Sequence, residues 1–256
     1  MTPPPVSFFA VPGIPLIEPG DDLAGILAEA LRRAGLALQD DDVLVVAQKI
    51  VSKAEGRYVD IDRITPSQAA VEIARKIGKD PRRVEVVLRE SDEIVKLGPH
   101  VIITAHRLGF VMANAGVDES NIDHLDGGGR VLLLPRNPDG SAAALKGALD
   151  AMFGASVAVL INDSFGRPWR NGVVGVALGA AGLPALVSRV GTRDLFGRPL
   201  RVTEIAAADE LASAASLLMG QAAEGLPAIL VRGLRLDAPA CPAAALLRNR
   251  ETDLFR

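Results

Sequence analysis

The sequence predicts a mixed α/β (α+β) fold. Three observations carry this: β-branched and leucine runs of strand length recur, amphipathic segments with helix start and stop residues fall between several of them, and no internal repeat or low-complexity linker divides the chain. Residues 1–256 are expected to form one domain, with any second lobe built from discontinuous segments.

In chain order, the opening MTPPPVSFF lacks the charged segment and apolar core of an export signal. After a first strand comes GIPLIEPG, a Pro- and Gly-punctuated loop too apolar to be an ordinary exposed turn, so it is expected to cover something. GDDLAGILAEALRRAG has acids at its start, apolar residues at 23, 26, 27, 30, 31 and 34, two late arginines and Gly35, which together read as a helix. Residues 43–47, 101–104, 131–134, 157–161 and 228–231 are the runs that suit strands buried on both faces. In VVAQKIVSKAEGR, Lys49 and Lys53 would share a helical face, but the β-branched residues around them favour an extended chain with Lys53 in a Gly-bounded turn. Two ammonium groups this close in sequence either bind a phosphate or are solvated.

TPSQAAVEIARKIG reads as a helix with Thr65 as N-cap, Pro66 first and Gly78 as stop. DPRRVEVVLRES starts the same way at Asp80, although its apolar run also suits a strand. Helices are expected over 141–153 and 208–219.

Composition narrows the function. At 256 residues and 49% hydrophobic content the chain can build its own core, and the single cysteine, Cys241, cannot form an internal disulfide, so a reducing cytoplasm is expected. The most apolar stretch, Val173 to Val187, is broken by glycines and Pro184 and is too short to span a membrane. A formal charge of −3 argues against a general nucleic-acid binder. Dinucleotide-binding and P-loop glycine motifs are missing, zinc signatures are missing, and His100, His106 and His124 share no ligand spacing.

What remains is polar residues at the ends of apolar runs. GFVMANAGVDESNID carries Asn114, Gly116, Asp118, Ser120 and Asn121 after the 110–112 run, and VAVLINDSFGR carries Asp163 and Ser164 after the 157–161 run. Each acid alone reads as a turn or cap residue. As a pair they would supply the hard oxygen ligands that magnesium or manganese prefers, at strand ends where α/β sheets place their sites.

The ordered set GIPLI, VSKAEGR, ANAGVDESN, INDSFGRPWRNG, DLFG, DELASAASLLMGQ and ETDLFR closely resembles the coenzyme F420-0:L-glutamate ligases over almost the whole chain (F420 is the name of a deazaflavin coenzyme). The resemblance implies a two-lobed fold of the family's own, neither Rossmann nor P-loop, in an intertwined homodimer. It implies GTP as co-substrate, contacted by Ile14, Pro15, Leu16, Ile17, Gln48, Lys49, Lys53, Asn121, Met219, Gly220, Gln221, Ala222, Ala223, Glu224, Gly225 and Leu226. It implies two divalent ions, Mg2+ or Mn2+, one held by Asp118 and Asp163 and the other by Ser164 and Gln221, with K+ also allowed; Asp118, Asp163 and Lys53 would carry the catalysis. Gly166 would let the backbone approach the phosphates. At Gln48 the sequence departs from the family, which usually places a small hydroxyl residue there, and no flavin-dependent domain is expected after Arg256.

The implied reaction joins L-glutamate to F420-0 through an acyl phosphate formed at the expense of GTP. Arg167, Arg170 and Arg193 are candidates to grip carboxylates or the acceptor's phosphodiester. A metal-dependent phosphohydrolase and a non-catalytic nucleotide-binding dimer are the alternatives.

Overall fold

The computed structural model describes residues 5–124 and 129–254, so the ends of the first and last quoted motifs (1–4, 255 and 256) lie outside the described residues. The chain folds as mixed α/β. Its main sheet has the order β1 (Ser7–Ala10), β12 (Ala228–Arg232), β2 (Val43–Ala47), β8 (Ala158–Arg167) and β9 (Arg170–Ala181). Only β2 and β8 run parallel; the other neighbours are antiparallel.

Alternation along the central strands divides the core between the two faces. Leu44 and Val46 of β2, with Val159 and Ile161 of β8, pack against Leu27 and Leu31 of α1 (Leu23–Arg33) and Leu149 of α5 (Pro138–Phe153). Val43, Val45 and Leu160 point the other way, onto Leu211 and Ala215 of α6 (Ala207–Met219). Both faces are covered, which is why these strands read as continuous apolar runs.

A second group of elements has separate cores. The helices α3 (Gln68–Ile77) and α4 (Pro81–Arg89) pack around Ile102 of a three-stranded antiparallel sheet, β4 (Ser91–Gly98), β5 (Val101–His106) and β6 (Val111–Ala113). A short pair, β3 (Tyr58–Asp60) with β7 (Arg130–Leu132), sits over Ile61 and Val86, and β10 (Val187–Ser188) pairs with β11 (Glu204–Ile205).

Several sequence expectations are corrected. The cap of α3 is Ser67, whose hydroxyl accepts from Ala70 N at 3.2 Å, so neither Thr65 nor Pro66 begins the helix. Asn137 caps α5 and accepts from Gly140 N at 3.0 Å, so that helix starts at Pro138 rather than 141. The segment after β2 is not extended: Gln48–Ala54 is a helix, α2, because burying Ile50 and Val51 in the core outweighs their β preference. Asp163 and Ser164 do not end a strand, since β8 continues to Arg167 in a hairpin with β9. The 80–89 segment resolves as a helix, with Asp80 accepting from Arg82 N at 2.8 Å. Among the described residues no helix is long and apolar enough to cross a membrane.

Candidate active site

The register of the parallel pair places the site. Pairing between β2 and β8 ends at Ala47 and Asn162; beyond it β2 turns directly into α2, and β8 runs on with β9 alone. At this carboxyl end of the parallel strands opens a cleft of about 400 Å³. Its walls are the Ile14–Ile17 loop, the first turn of α2 with Lys53, Asn121, the Asn162–Ser164 stretch and the segment from Met219 to Pro227.

Each wall has a local cause. In the apolar loop Ile17 is buried in the core, while Leu16 is 85% exposed at the cleft edge. At the end of α6 the chain must turn sharply, and Gly220 does so at φ +73°, ψ −176°, a conformation open essentially to glycine alone. Every residue that the resemblance assigns to GTP therefore lines one cleft. Arg167, Arg170, Arg193 and Gly166 are not among its lining residues; Arg167 donates to Gly172 O and Arg193 to Gly197 O within their own turns.

Two lysines and one acid make the first cluster. Lys49 and Lys53 lie four apart on α2, and Lys49 Nζ is 2.8 Å from Asp118 Oδ2. Lys49 also donates to the carbonyl of Ser120, and the Ser120 amide donates to Asp118 Oδ1 at 2.7 Å. Asp118 is thus an Asx-turn residue and an ion-pair partner at once. Burial pushes its carboxyl up, but the bonds and charge from Lys49 and Ser120 outweigh that and hold it below the ordinary value. Lys53 Nζ donates to Asn121 O at 2.7 Å, and Asn121 Nδ2 donates to Ala222 O at 2.8 Å, tying α2, the 118–121 loop and the 219–227 segment together. Burial, then the charge of Lys49, lowers the Lys53 ammonium's pKa.

The second cluster is on β8. Asp163 Oδ1 accepts from Ser164 N at 2.8 Å, and Ser164 Oγ donates to Gln221 Oε1 at 2.7 Å across the cleft. Burial raises the Asp163 carboxyl to about 6, with the Ser164 amide opposing and the charge of Asp118 adding. An acid disfavoured as its anion beside a second carboxylate is a place where a cation would be stabilised. No group of three or more His, Cys, Asp and Glu side chains that could hold a metal exists among the described residues. The donors are two carboxylates, a hydroxyl and an amide oxygen, all hard, a set that suits magnesium or manganese if phosphate oxygens and water complete the shell.

Sequence reasoning passed over Asn162, which lines the cleft beside Asp163, and treated Ser120 only as a loop residue. The signal for Asn162 was its place in INDS, directly after the buried run.

Comparison with known proteins gives one consistent result. The family model F420-0:Gamma-glutamyl ligase matches residues 13–233. The Coenzyme F420:L-glutamate ligase of Methanothermobacter thermautotrophicus is 49% identical over 256 residues, covering 98% of this chain and 99% of that protein. Those of Methanopyrus kandleri and Methanocaldococcus jannaschii are 49% and 44% identical, covering 94% and 95% of this chain and 93% and 94% of theirs. With this coverage, and with the residues that the resemblance assigns to GTP lining one cleft, the chain belongs to the F420-0:gamma-glutamyl ligase family.

Proposed function

We propose that this protein adds L-glutamate to coenzyme F420-0, using GTP to activate the acceptor's carboxylate, and that further γ-linked glutamates are added by the same chemistry. The family supplies the acceptor and the amino acid. The observation that carries the nucleotide half of the reading is the cleft itself, lined by Lys49, Lys53 and Asp163 at the carboxyl end of two parallel strands, with Asp118 ion-paired to Lys49.

A carboxylate is a poor electrophile toward an amine, because oxide would have to leave. Transfer of the GTP γ-phosphoryl group to the acceptor carboxylate gives an acyl phosphate and GDP; the glutamate α-amine attacks its carbonyl, loses a proton and expels phosphate. Asp118 and Asp163 would hold one divalent ion, and Ser164 with Gln221 a second. Bound there, these ions would neutralise phosphate charge and polarise phosphoryl oxygens. Lys53 would offset phosphate charge from its buried position, and Lys49 would keep Asp118 ionised and oriented. The apolar Ile14–Ile17 loop and the 219–227 segment would limit water at the acyl phosphate.

A cytoplasmic homodimer is part of the same proposal. Trp169, Leu195, Phe196, Val202 and Leu217 are all more than 80% exposed, and a partner subunit would cover such side chains. Single-domain organisation over 1–256 is proposed with it. Mass spectrometry of the product from protein, GTP, Mn2+, L-glutamate and F420-0 tests the reaction: an added glutamyl residue is expected. Rapid phosphate release without acceptor or glutamate, and no adduct with them, would instead identify a phosphohydrolase.

A further inference from the structure

The reaction proposed above brings together many anions: a triphosphate, the acceptor's phosphodiester and carboxylate, and the two carboxylates of glutamate. The two lysines in the cleft wall are already engaged, Lys49 with Asp118 and Ser120, Lys53 with the Asn121 carbonyl. A third cation stands just beyond them. The guanidinium of Arg130 lies over the ring of Tyr58, 4.1 Å from its centroid. Among the described residues it has no carboxylate partner, since its register neighbour Asp60 pairs with Arg63.

The strand register relates this pair to the site. Leu132 is opposite Tyr58 on one side and bridges Asp118 on the other, with Asp118 N to Leu132 O at 3.0 Å and Leu132 N to Asp118 O at 2.8 Å. Directly opposed residues share a face of a sheet, and residues two apart on a strand share it too. Asp118, Leu132, Tyr58 and Arg130 therefore share one face, with Arg130 two residues along β7 from the bridge partner of Asp118 and Tyr58 on the far side of that strand. The neighbouring charges agree: Glu18, next to the cleft loop, acts on both Lys53 and Tyr58, and Asp123, two residues past Asn121, acts on Tyr58.

A guanidinium lying flat on an aromatic ring keeps its edge donors free for a planar oxyanion, and the stack fixes their direction. We propose that Arg130, held on Tyr58, binds a substrate oxyanion other than the triphosphate, either a carboxylate of glutamate or the phosphodiester of the acceptor. This rests on the ligase reading above. A guanidinium on the same sheet face as Asp118 is placed for either source.

The test is a set of three KM values, for L-glutamate, F420-0 and GTP, measured on the full-length wild type, Arg130→Gln, Tyr58→Phe and Tyr58→Leu. Arg130→Gln should raise the KM for glutamate or for F420-0 by about 10- to 100-fold, as expected for a lost charge-assisted contact, with that for GTP within about twofold. The substrate that responds identifies the source of the oxyanion. Tyr58→Leu should raise the same KM as Arg130→Gln by about 2- to 10-fold, and Tyr58→Phe, which keeps the ring, should raise it by a smaller factor. If Arg130→Gln does not fold, Arg130→Lys keeps the charge and loses the fork, and should move the same KM by a smaller factor. Glutamate and F420-0 KM values both within about twofold of wild type overturn the inference. So does a rise confined to GTP or shared by all three substrates. A wild type that forms no glutamyl product overturns the ligase reading and this inference together; an active wild type matched by its Arg130 variants overturns this inference alone.

Discussion

Asp163→Asn should make the protein more stable and nearly inactive. The side chain keeps its shape, and its Oδ1 can still accept from the Ser164 amide, as the carboxylate does at 2.8 Å. What disappears is a carboxyl raised by burial from its ordinary 3.8 to about 6. The unfolded chain ionises near the lower value and the folded chain near the higher. Wild-type stability should therefore fall as pH rises through this window and level off above about 6. Each pH unit of displacement corresponds to about 1.4 kcal/mol, so ionised Asp163 costs the metal-free fold up to about 3 kcal/mol at neutral pH. Solvent screening at this partly exposed side chain reduces that to about 1–3 kcal/mol, or ~2–10 °C in Tm for a chain of this length. Scanning calorimetry of wild type and variant in chelator-treated buffer at pH 4.5 and 7.5 measures it: the curves should separate at the higher pH in favour of the variant. Turnover at saturating manganese should meanwhile fall by orders of magnitude, with each tenfold about 1.4 kcal/mol of lost transition-state stabilisation. A variant that is less stable than wild type at pH 7.5 without metal, or that turns over within about threefold of it, would refute the reasoning.

Lys53→Ala should weaken GTP binding by about 1.5–3 kcal/mol, measured by calorimetric titration; unchanged affinity would place this ammonium outside the phosphate site. Sedimentation at micromolar concentration should show a dimer, and a single 26.8 kDa species would leave the exposed Leu195, Phe196 and Leu217 unexplained as an interface. Glu90→Gln should destabilise the fold by about 3–5 kcal/mol in urea titrations, because the buried Arg57, which donates to Glu90 at 2.9 Å, would lose its counter-charge. Burial raises the Glu90 carboxyl, but the His106 ring 3.6 Å away and the charges of Arg107 and Arg57 outweigh it, so the net shift is downward. Its contribution is present above the ordinary value and lost as pH falls through the folded one; a wild type whose stability does not drop below pH 4 would contradict this.

The elements legible in the sequence were those whose signals are local. Asp80 caps its helix and Gly78 closes another in the left-handed region, both within a few residues of the signal itself, whereas the acids expected in the first turn of α1 precede it, with Asp22 as its cap. The strands β2 and β12 are buried on both faces and show it as unbroken apolar runs. The failures came where distant packing overrides local preference. In sequence, 173–187 reads only as a stretch too broken to span a membrane, with no strand assigned to it; its glycines at 175 and 179 are there for closeness. A Cβ on Gly175 would stand 2.2 Å from Ala212 O of α6, and one on Gly179 would stand 2.3 Å from the Pro138 carbonyl of α5. The missing side chains let two helices approach β9, and that contact makes a glycine-rich stretch a twelve-residue strand.

The candidate site divides along the same line. Its residue types were visible, since acids and small polar residues followed apolar runs. Their arrangement was not, because the partners come from separate segments: Lys49 from α2 meets Asp118 from the loop after β6, and Ser164 from β8 meets Gln221 from beyond α6. Asp163 was expected at a strand end, and the hairpin shows what a strand end contributes here. Beyond Asn162 the β2 side of β8 carries no strand among the described residues, while β9 still holds its other edge. Asp163 and Ser164 are thus half-buried on a rigid ribbon rather than carried on a flexible turn. Held there by the Ser164 amide, the carboxyl is raised chiefly by burial. The ribbon therefore makes the same acid costly to the empty fold and ready for a cation.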